Sequence, residues 1–180
     1  SSVVLAVILL ALLAVGALVG ASGPSQPILV TSAGQSPDDL IVKVMIDKLL
    51  AEPVERNALA GPEDLEGMQT LILAVGVSNK GLGAAGIDLD QEVARITSLL
   101  EAAREQERFI ILLHIGGQAR RGVGSDLVAD LVAQFANSMI VVAAGNQDQF
   151  FNQLGEKYEA SVLEVEARTD AANALAHMFE

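Results

Sequence analysis

Residues 71–75 read Leu-Ile-Leu-Ala-Val, and residues 109–114 read Phe-Ile-Ile-Leu-Leu-His. These runs are apolar throughout instead of alternating with polar residues, which predicts strands buried on both faces and therefore a parallel sheet. Further runs of this kind lie on either side of them in the chain. The strands we predict are Ile28–Thr31, Val54–Asn57, Leu71–Val75, Phe109–His114, Met139–Ala143 and Val162–Val165.

Helical patterns separate most of these strands. We predict helices at Asp38–Ala51, Asp90–Gln106, Ser125–Ala136, Gln147–Tyr158 and Thr169–Phe179. Strand–helix alternation is typical of right-handed βαβ units. The fold class we predict is therefore α/β, a doubly wound and mainly parallel sheet of flavodoxin-like or Rossmann-like type, with strand order 2-1-3-4-5 and a sixth strand at one edge.

The chain begins with an apolar stretch that has no counterpart in this α/β pattern. Val3–Ala21 contains no polar side chain, and the first charged residue is Asp38. A helix of this length spans roughly 28 Å, close to the thickness of a bilayer core of about 30 Å. We therefore divide the chain into an apolar helix at residues 1–22, a linker at 23–27 that contains Pro24 and Pro27, and a head domain at 28–180.

Small residues recur at four-residue spacing in this stretch. Gly16 pairs with Gly20, and Ala17 with Ala21. Such small-xxx-small spacing lets apolar helices approach closely, so these four are our predicted helix-packing residues. A signal peptide or a lone membrane anchor is one interpretation, and a boundary at Ser1 without biological meaning is another. The absence of Met and of a basic region before the stretch favours cleavage just before it.

With its Ser1 start, the stretch SSVVLAVILLALLAVGALVGAS resembles the mature N-terminus of type IV pilins and of archaeal pilins and flagellins. That resemblance implies a segment that sits in the membrane before assembly and then packs with copies of itself in a filament core. Bacterial type IV pilins usually carry Glu at the fifth mature position, where this chain has Leu5. Archaeal pilins commonly lack that Glu, so Leu5 counts mainly against the bacterial version.

The head resembles an uncharacterised bacterial family of domains of unknown function. The likeness rests on PILVTSAGQSPDDLIVKVMIDKL, LILAVGVSNKGLGAAGID and LLHIGGQARRG, which occur in that order. It implies the α/β fold and exported, lipid- or membrane-anchored proteins. It implies no activity and no catalytic residues.

Composition excludes several classes of function. The net charge is −12 and no basic cluster carries aromatic residues, so we predict no nucleic-acid partner. The chain has no cysteine and two histidines, so we predict no metal site.

Gly81-Leu-Gly-Ala-Ala-Gly86 has dinucleotide-fingerprint spacing, but five residues separate it from the preceding strand. The tight turn of that fingerprint needs a shorter connection, so we predict no cofactor.

The carboxyl ends of the predicted strands should share one edge of the sheet, where open α/β sheets bind ligands. Four loops meet there: Ser32–Ser36, Gly76–Gly86, His114–Gly122 and Gly145–Asn146. Glycine-rich loops and basic side chains can hold a carboxylate or phosphate. The candidate ligand-binding residues are Ser32, Gln35, Ser36, Ser78, Asn79, Lys80, His114, Arg120, Arg121 and Asn146.

Three functions follow as hypotheses. The first is a structural subunit of an extracellular cell-surface filament that assembles with copies of itself through the apolar helix and has no catalytic residue. The second is a membrane-tethered module, facing outside, that binds a small anion at the four-loop edge. The third is an enzyme that uses His114 for acid–base chemistry with Ser32 or Ser78 as nucleophile.

Overall fold

The computed structural model describes residues 23–180. The predicted apolar helix at 1–22, with Gly16, Ala17, Gly20 and Ala21, lies outside these residues. The described chain contains six strands, β1 Ile28–Ala33, β2 Glu55–Arg56, β3 Thr70–Val75, β4 Phe109–His114, β5 Ser138–Val142 and β6 Ser161–Val165. Its α-helices are α1 Asp38–Ile46, α2 Asn79–Ala85, α3 Leu89–Glu105, α4 Val123–Ala133, α5 Phe150–Tyr158 and α6 Arg168–His177.

The six strands form one sheet in the order β2-β1-β3-β4-β5-β6, and every neighbouring pair is parallel. The predicted α/β class and strand order are therefore confirmed for the head. Within residues 23–180, no helix is long and apolar enough to cross a membrane.

Each face of the sheet is covered by its own helices. Along β3, Leu71 and Leu73 belong to the core cluster beneath α3, α4 and α5, whereas Ile72 and Ala74 belong to the cluster beneath α1 and α6. Every residue of β3 is buried. A central strand that packs on both faces needs apolar side chains at successive positions, which is why the run was recognisable in the sequence.

The stretch Gly76–Gly86 was predicted as a long glycine-rich loop, and that prediction is wrong. Residues Asn79–Ala85 form the short helix α2. The Ser78 hydroxyl caps it by accepting a hydrogen bond from the Gly81 N–H at 3.1 Å, and Leu82 is buried beneath it. Glycine disfavours helix locally, but the cap and the buried leucine outweigh that preference.

Two glycines of α2 have different surroundings. A Cβ atom on Gly81 would lie 1.8 Å from the Gln35 carbonyl oxygen, whereas one on Gly83 would meet no atom within 4 Å. Gly81 is therefore required for the first turn of α2 to lie against the loop that follows β1. Gly83 has no such packing role.

We expect Gly81→Ala to destabilise the head by about 1–3 kcal/mol, because backbone must move to accept the methyl group. On the same helix, Gly83→Ala should be neutral or should stabilise by about 0.5–1 kcal/mol, since alanine loses less entropy in a helix. Thermal unfolding of the two variants and the wild type measures the difference. Equal melting temperatures for the two variants would contradict the contact between α2 and Gln35.

Candidate functional site

The carboxyl ends of all six strands lie at one edge of the sheet, and the chain enters the head at the opposite edge. There Ser25 and Thr70 exchange two hydrogen bonds, at 3.0 and 2.8 Å, beside the start of β3. Strands β1 and β3 are six residues long, which separates the two edges by roughly 20 Å at about 3.3 Å per residue. The linker and the predicted ligand edge are therefore at opposite ends of the strands.

An open cleft of about 570 Å³ lies at the carboxyl edge, between the loops after β1 and β2 and the helix α2. We call it the carboxyl-edge cleft. Four of the predicted residues line it, namely Gln35, Ser36, Ser78 and Lys80. Asn79 is exposed beside Ser78 at the start of α2. The structure also brings Asp39, Arg56 and Leu59 into the lining, none of which the sequence singled out.

The cleft is lined by one cation that is paired with a protein acid and by one that is not. Asp39 is buried, and its Oδ2 lies 2.7 Å from Arg56 Nε. At this distance the two groups form a close ion pair. Lys80 is exposed and forms no ion pair with any described residue. The charges of Asp39, Arg56 and Lys80 sum to +1.

A buried ion pair supports the two loops that form one wall of the cleft. Glu92, fully buried on α3, accepts hydrogen bonds from the Gly34 N–H at 2.9 Å and the Gln35 side-chain amide at 3.1 Å. It also pairs with Arg95, at 2.8 Å. Arg95 in turn donates to the carbonyl oxygens of Ser32, at 2.6 Å, and Ala60, at 2.8 Å. The pair therefore joins α3 to the ends of the loops after β1 and β2.

Sequence reasoning missed this pair. Glu92 and Arg95 are an acid and a base at i and i+3 in the first turns of a helix, a pattern that also occurs on solvated helix surfaces. The available signal was their position on the same helical face as Ile96 and Leu99, which are buried.

His114 lies beneath the edge and outside the lining of the cleft. It is 1% exposed, and its ring nitrogens lie 3.0 Å from the Val75 carbonyl oxygen and 3.2 Å from that of Gly117. Burial lowers the pKa of His114 below its ordinary value of 6.5, and the two carbonyls offset part of that effect. The ring makes no hydrogen bond to Ser32 or Ser78, so it is not arranged as the base of a serine nucleophile.

Arg121, predicted as a ligand-binding cation, is engaged by protein acids. It pairs with Asp126 at 2.7 Å and with Asp148 at 2.9 Å, and it donates to the Gly145 carbonyl oxygen at 2.6 Å. These hydrogen bonds raise the pKa of Arg121 above its ordinary value and lower that of Asp148 to about 2. This part of the edge, above β4 and β5, is closed by the protein's own ion pairs.

The remaining predicted residues also have contacts within the protein. Asn146 is buried, donates to Glu164 at 2.7 Å and accepts from the Phe151 N–H at 2.9 Å. Ser32 is buried and its hydroxyl donates to the Ser36 carbonyl at 3.2 Å. Arg120 Nε lies 3.9 Å from Asp38. Among residues 23–180, no three acidic or histidine side chains are grouped as a metal site requires.

We expect Glu92→Gln to destabilise the head by about 3–5 kcal/mol, because it leaves Arg95 largely buried without a negative partner. The matched control is Glu101→Gln, which makes the same change at an exposed position of α3 and should stay within about 0.5 kcal/mol of the wild type. Urea unfolding monitored by circular dichroism measures both. A loss below 1 kcal/mol for Glu92→Gln would show that the pair is dispensable.

Comparison with known proteins identifies the family to which the head belongs. No curated protein matches the chain. A profile described as a domain of unknown function, DUF6305, matches residues 25–179, which is nearly all of the described structure. The resemblance of the head to a family of unknown function is confirmed by this match, and no pilin family is matched. The chain belongs to the DUF6305 family of domains of unknown function.

Proposed function

We propose that this chain is a membrane-tethered module whose α/β head, facing outside the cell, binds a small organic carboxylate in the carboxyl-edge cleft. The observation that carries the proposal is the pair of cations that line the cleft of a strongly acidic protein. Lys80 pairs with no described acid and Arg56 is balanced by Asp39 alone, so the three side chains keep a formal charge of +1. The apolar stretch Val3–Ala21 supplies the tether.

Side chains, and not a helix dipole, hold the anion in this proposal. The first turn of α1 already carries Asp38 and Asp39, both buried, so its positive end is neutralised by the protein's own carboxylates. Arg56 presents a planar guanidinium that suits two carboxylate oxygens, and Lys80 adds a mobile ammonium. The hydroxyls of Ser36 and Ser78 lie in the same lining and can donate to the ligand.

The rest of the lining favours a ligand with an apolar body. Leu59 is 43% exposed, and the small side chains Ala58, Ala84 and Ala85 line the same cleft. Burying such a surface against a hydrocarbon chain or ring contributes about 25 cal/mol per Å². A small carboxylate with an aliphatic or aromatic group therefore satisfies both the charge and the apolar surface of the cleft.

The test is a thermal-shift screen of the full chain in neutral detergent against small carboxylates. We expect Lys80→Gln to weaken binding of any hit about ten- to a hundredfold, because it removes a hydrogen bond to a charged group worth about 1.5–3 kcal/mol. Lys48→Gln makes the same charge change at an exposed residue outside the cleft and should retain binding. Either a screen without hits or undiminished binding by Lys80→Gln would refute the proposal.

A filament subunit is the second candidate, and the small-residue spacing of the apolar stretch favours it. Gly16 and Gly20 are spaced for close helix contact, and the linker joins the head at the edge opposite the cleft. Heads carried on a core of such helices would then present their clefts outward.

For this candidate we expect sheared surface material to contain fibres whose subunits begin at Ser1. A Gly16→Ile and Gly20→Ile double variant should abolish them because the β-branched side chains keep the helices apart, whereas Leu10→Ile should not. Negative-stain microscopy with N-terminal sequencing provides the measurement. Absence of fibres, or a mature chain that begins beyond Ala21, would exclude the filament.

A further inference from the structure

A second basic pocket lies at the amino edge of the sheet, far from the carboxyl-edge cleft. Its volume is about 470 Å³, and it is formed where the C-terminal ends of α3 and α4 lie beside the start of β4. We call it the amino-edge pocket. Its lining includes Gly23, Arg104, Glu107, Arg108, Phe135 and Asn137.

Cations without acidic partners are concentrated in this pocket. The chain has 11 lysines and arginines, all within the described residues. Six of them form ion pairs with acids among residues 23–180, namely Lys43, Arg56, Arg95, Arg120, Arg121 and Lys157. Of the five that do not, Arg104 and Arg108 both line the amino-edge pocket. The protein has a net charge of −12, so most of its cations have an acid within reach. Two arginines without an ion pair in the same pocket are therefore unusual.

Several hydrogen-bond donors of these arginines also lack acceptors within residues 23–180. Arg108 Nε is buried and donates to no described residue, and its only side-chain hydrogen bond is to Gln106, at 3.2 Å. Arg104 makes no side-chain hydrogen bond within residues 23–180, and its guanidinium lies 4.5 Å above the centre of the Phe135 ring. A buried N–H that faces no acceptor is costly, so a ligand oxygen at this position is favoured.

We propose that the amino-edge pocket binds a phosphate group between Arg104 and Arg108. Guanidinium groups bind phosphate oxygens in a two-pronged geometry, and stacking on Phe135 holds one of them in place. Asn137 accepts a hydrogen bond from the Ile110 N–H through its Oδ1, at 2.8 Å, which leaves its amide N–H₂ to donate. Glu107 opposes the anion, but two guanidiniums against one carboxylate leave a formal charge of +1.

The phosphate has two possible sources with the same chemistry. Gly23 lines the pocket, and the apolar stretch precedes it in the chain. If the chain is tethered as proposed above, lipid headgroups lie next to this edge, so the lipid source rests on the proposed function. A soluble phosphate or phosphate ester needs no membrane, and that source stands independently of the tether.

The experiment measures the melting temperature of the full chain in maltoside micelles, which contain no phosphate. One arm adds sodium phosphate, with sodium chloride at equal ionic strength as the reference. The other adds phosphatidylglycerol to the micelles, with diacylglycerol as the reference. Stabilisation by inorganic phosphate assigns a soluble source, stabilisation by the lipid alone assigns a headgroup, and either result supports the pocket.

Variants of the two arginines test whether the stabilisation by phosphate arises in the amino-edge pocket. Arg108→Gln and Arg104→Gln should each raise the half-saturating concentration at least tenfold, whereas Lys48→Gln, an unpaired cation outside the pocket, should not. Because Arg104 is exposed, its variant remains informative if Arg108→Gln fails to fold. No stabilisation in either arm, or equal losses in Arg104→Gln and Lys48→Gln, would overturn the proposal. Lys80→Gln should leave the phosphate response intact, which separates this pocket from the carboxyl-edge cleft.

Discussion

The ion pair between Glu92 and Arg95 is the interaction on which the geometry of the carboxyl edge depends. Burying two charges is costly, and the cost is offset only where hydrogen bonds satisfy the remaining polar atoms. Here Glu92 accepts from the loop after β1, and Arg95 donates to carbonyls at the ends of both loops. Because both loops are held by a helix on one face of the sheet, and the Gln35 side-chain amide of one donates to the Ala58 carbonyl of the other at 2.9 Å, they form one wall that faces α2 across the cleft.

A separate constraint, close packing of backbone, keeps the cleft away from the place where doubly wound sheets usually bind ligands. That place is the crevice between β1 and β3, where the strand order reverses. In this head the crevice is filled by backbone, since the Ser78 N–H donates to the Gly34 carbonyl at 2.8 Å and Gly81 lies against Gln35. A Cβ on Gly34 would lie 2.5 Å from the Gly76 carbonyl oxygen. The open volume therefore lies on the β2 side, over Arg56.

The sequence predicted what depends on local pattern and missed what depends on tertiary contact. Runs such as Leu71–Val75 indicated strands buried on both faces, and the strand order followed from the doubly wound type that strand–helix alternation predicts. Helix α2 was missed because its glycines argue against helix, and only the packing of Gly81 against Gln35 shows why one of them is needed. Arg121 was predicted as a ligand-binding cation because its pairing depends on the fold. Asp126 lies five residues away, in the first turn of α4, and Asp148 lies 27 residues away, so neither contact follows from the local pattern.

The distribution of charge explains how two small basic surfaces can exist in an acidic protein. At physiological ionic strength, charges separated by more than about 8 Å are largely screened, so distant surface carboxylates contribute little at either pocket. Local neutralisation matters more. Arg121 is unavailable because two carboxylates contact it, whereas Lys80 and Arg104 form no ion pair with a described residue. Each proposed anion site therefore contains a cation that the acids among residues 23–180 leave unpaired, Lys80 in one and Arg104 in the other, and these two lie at opposite ends of the strands.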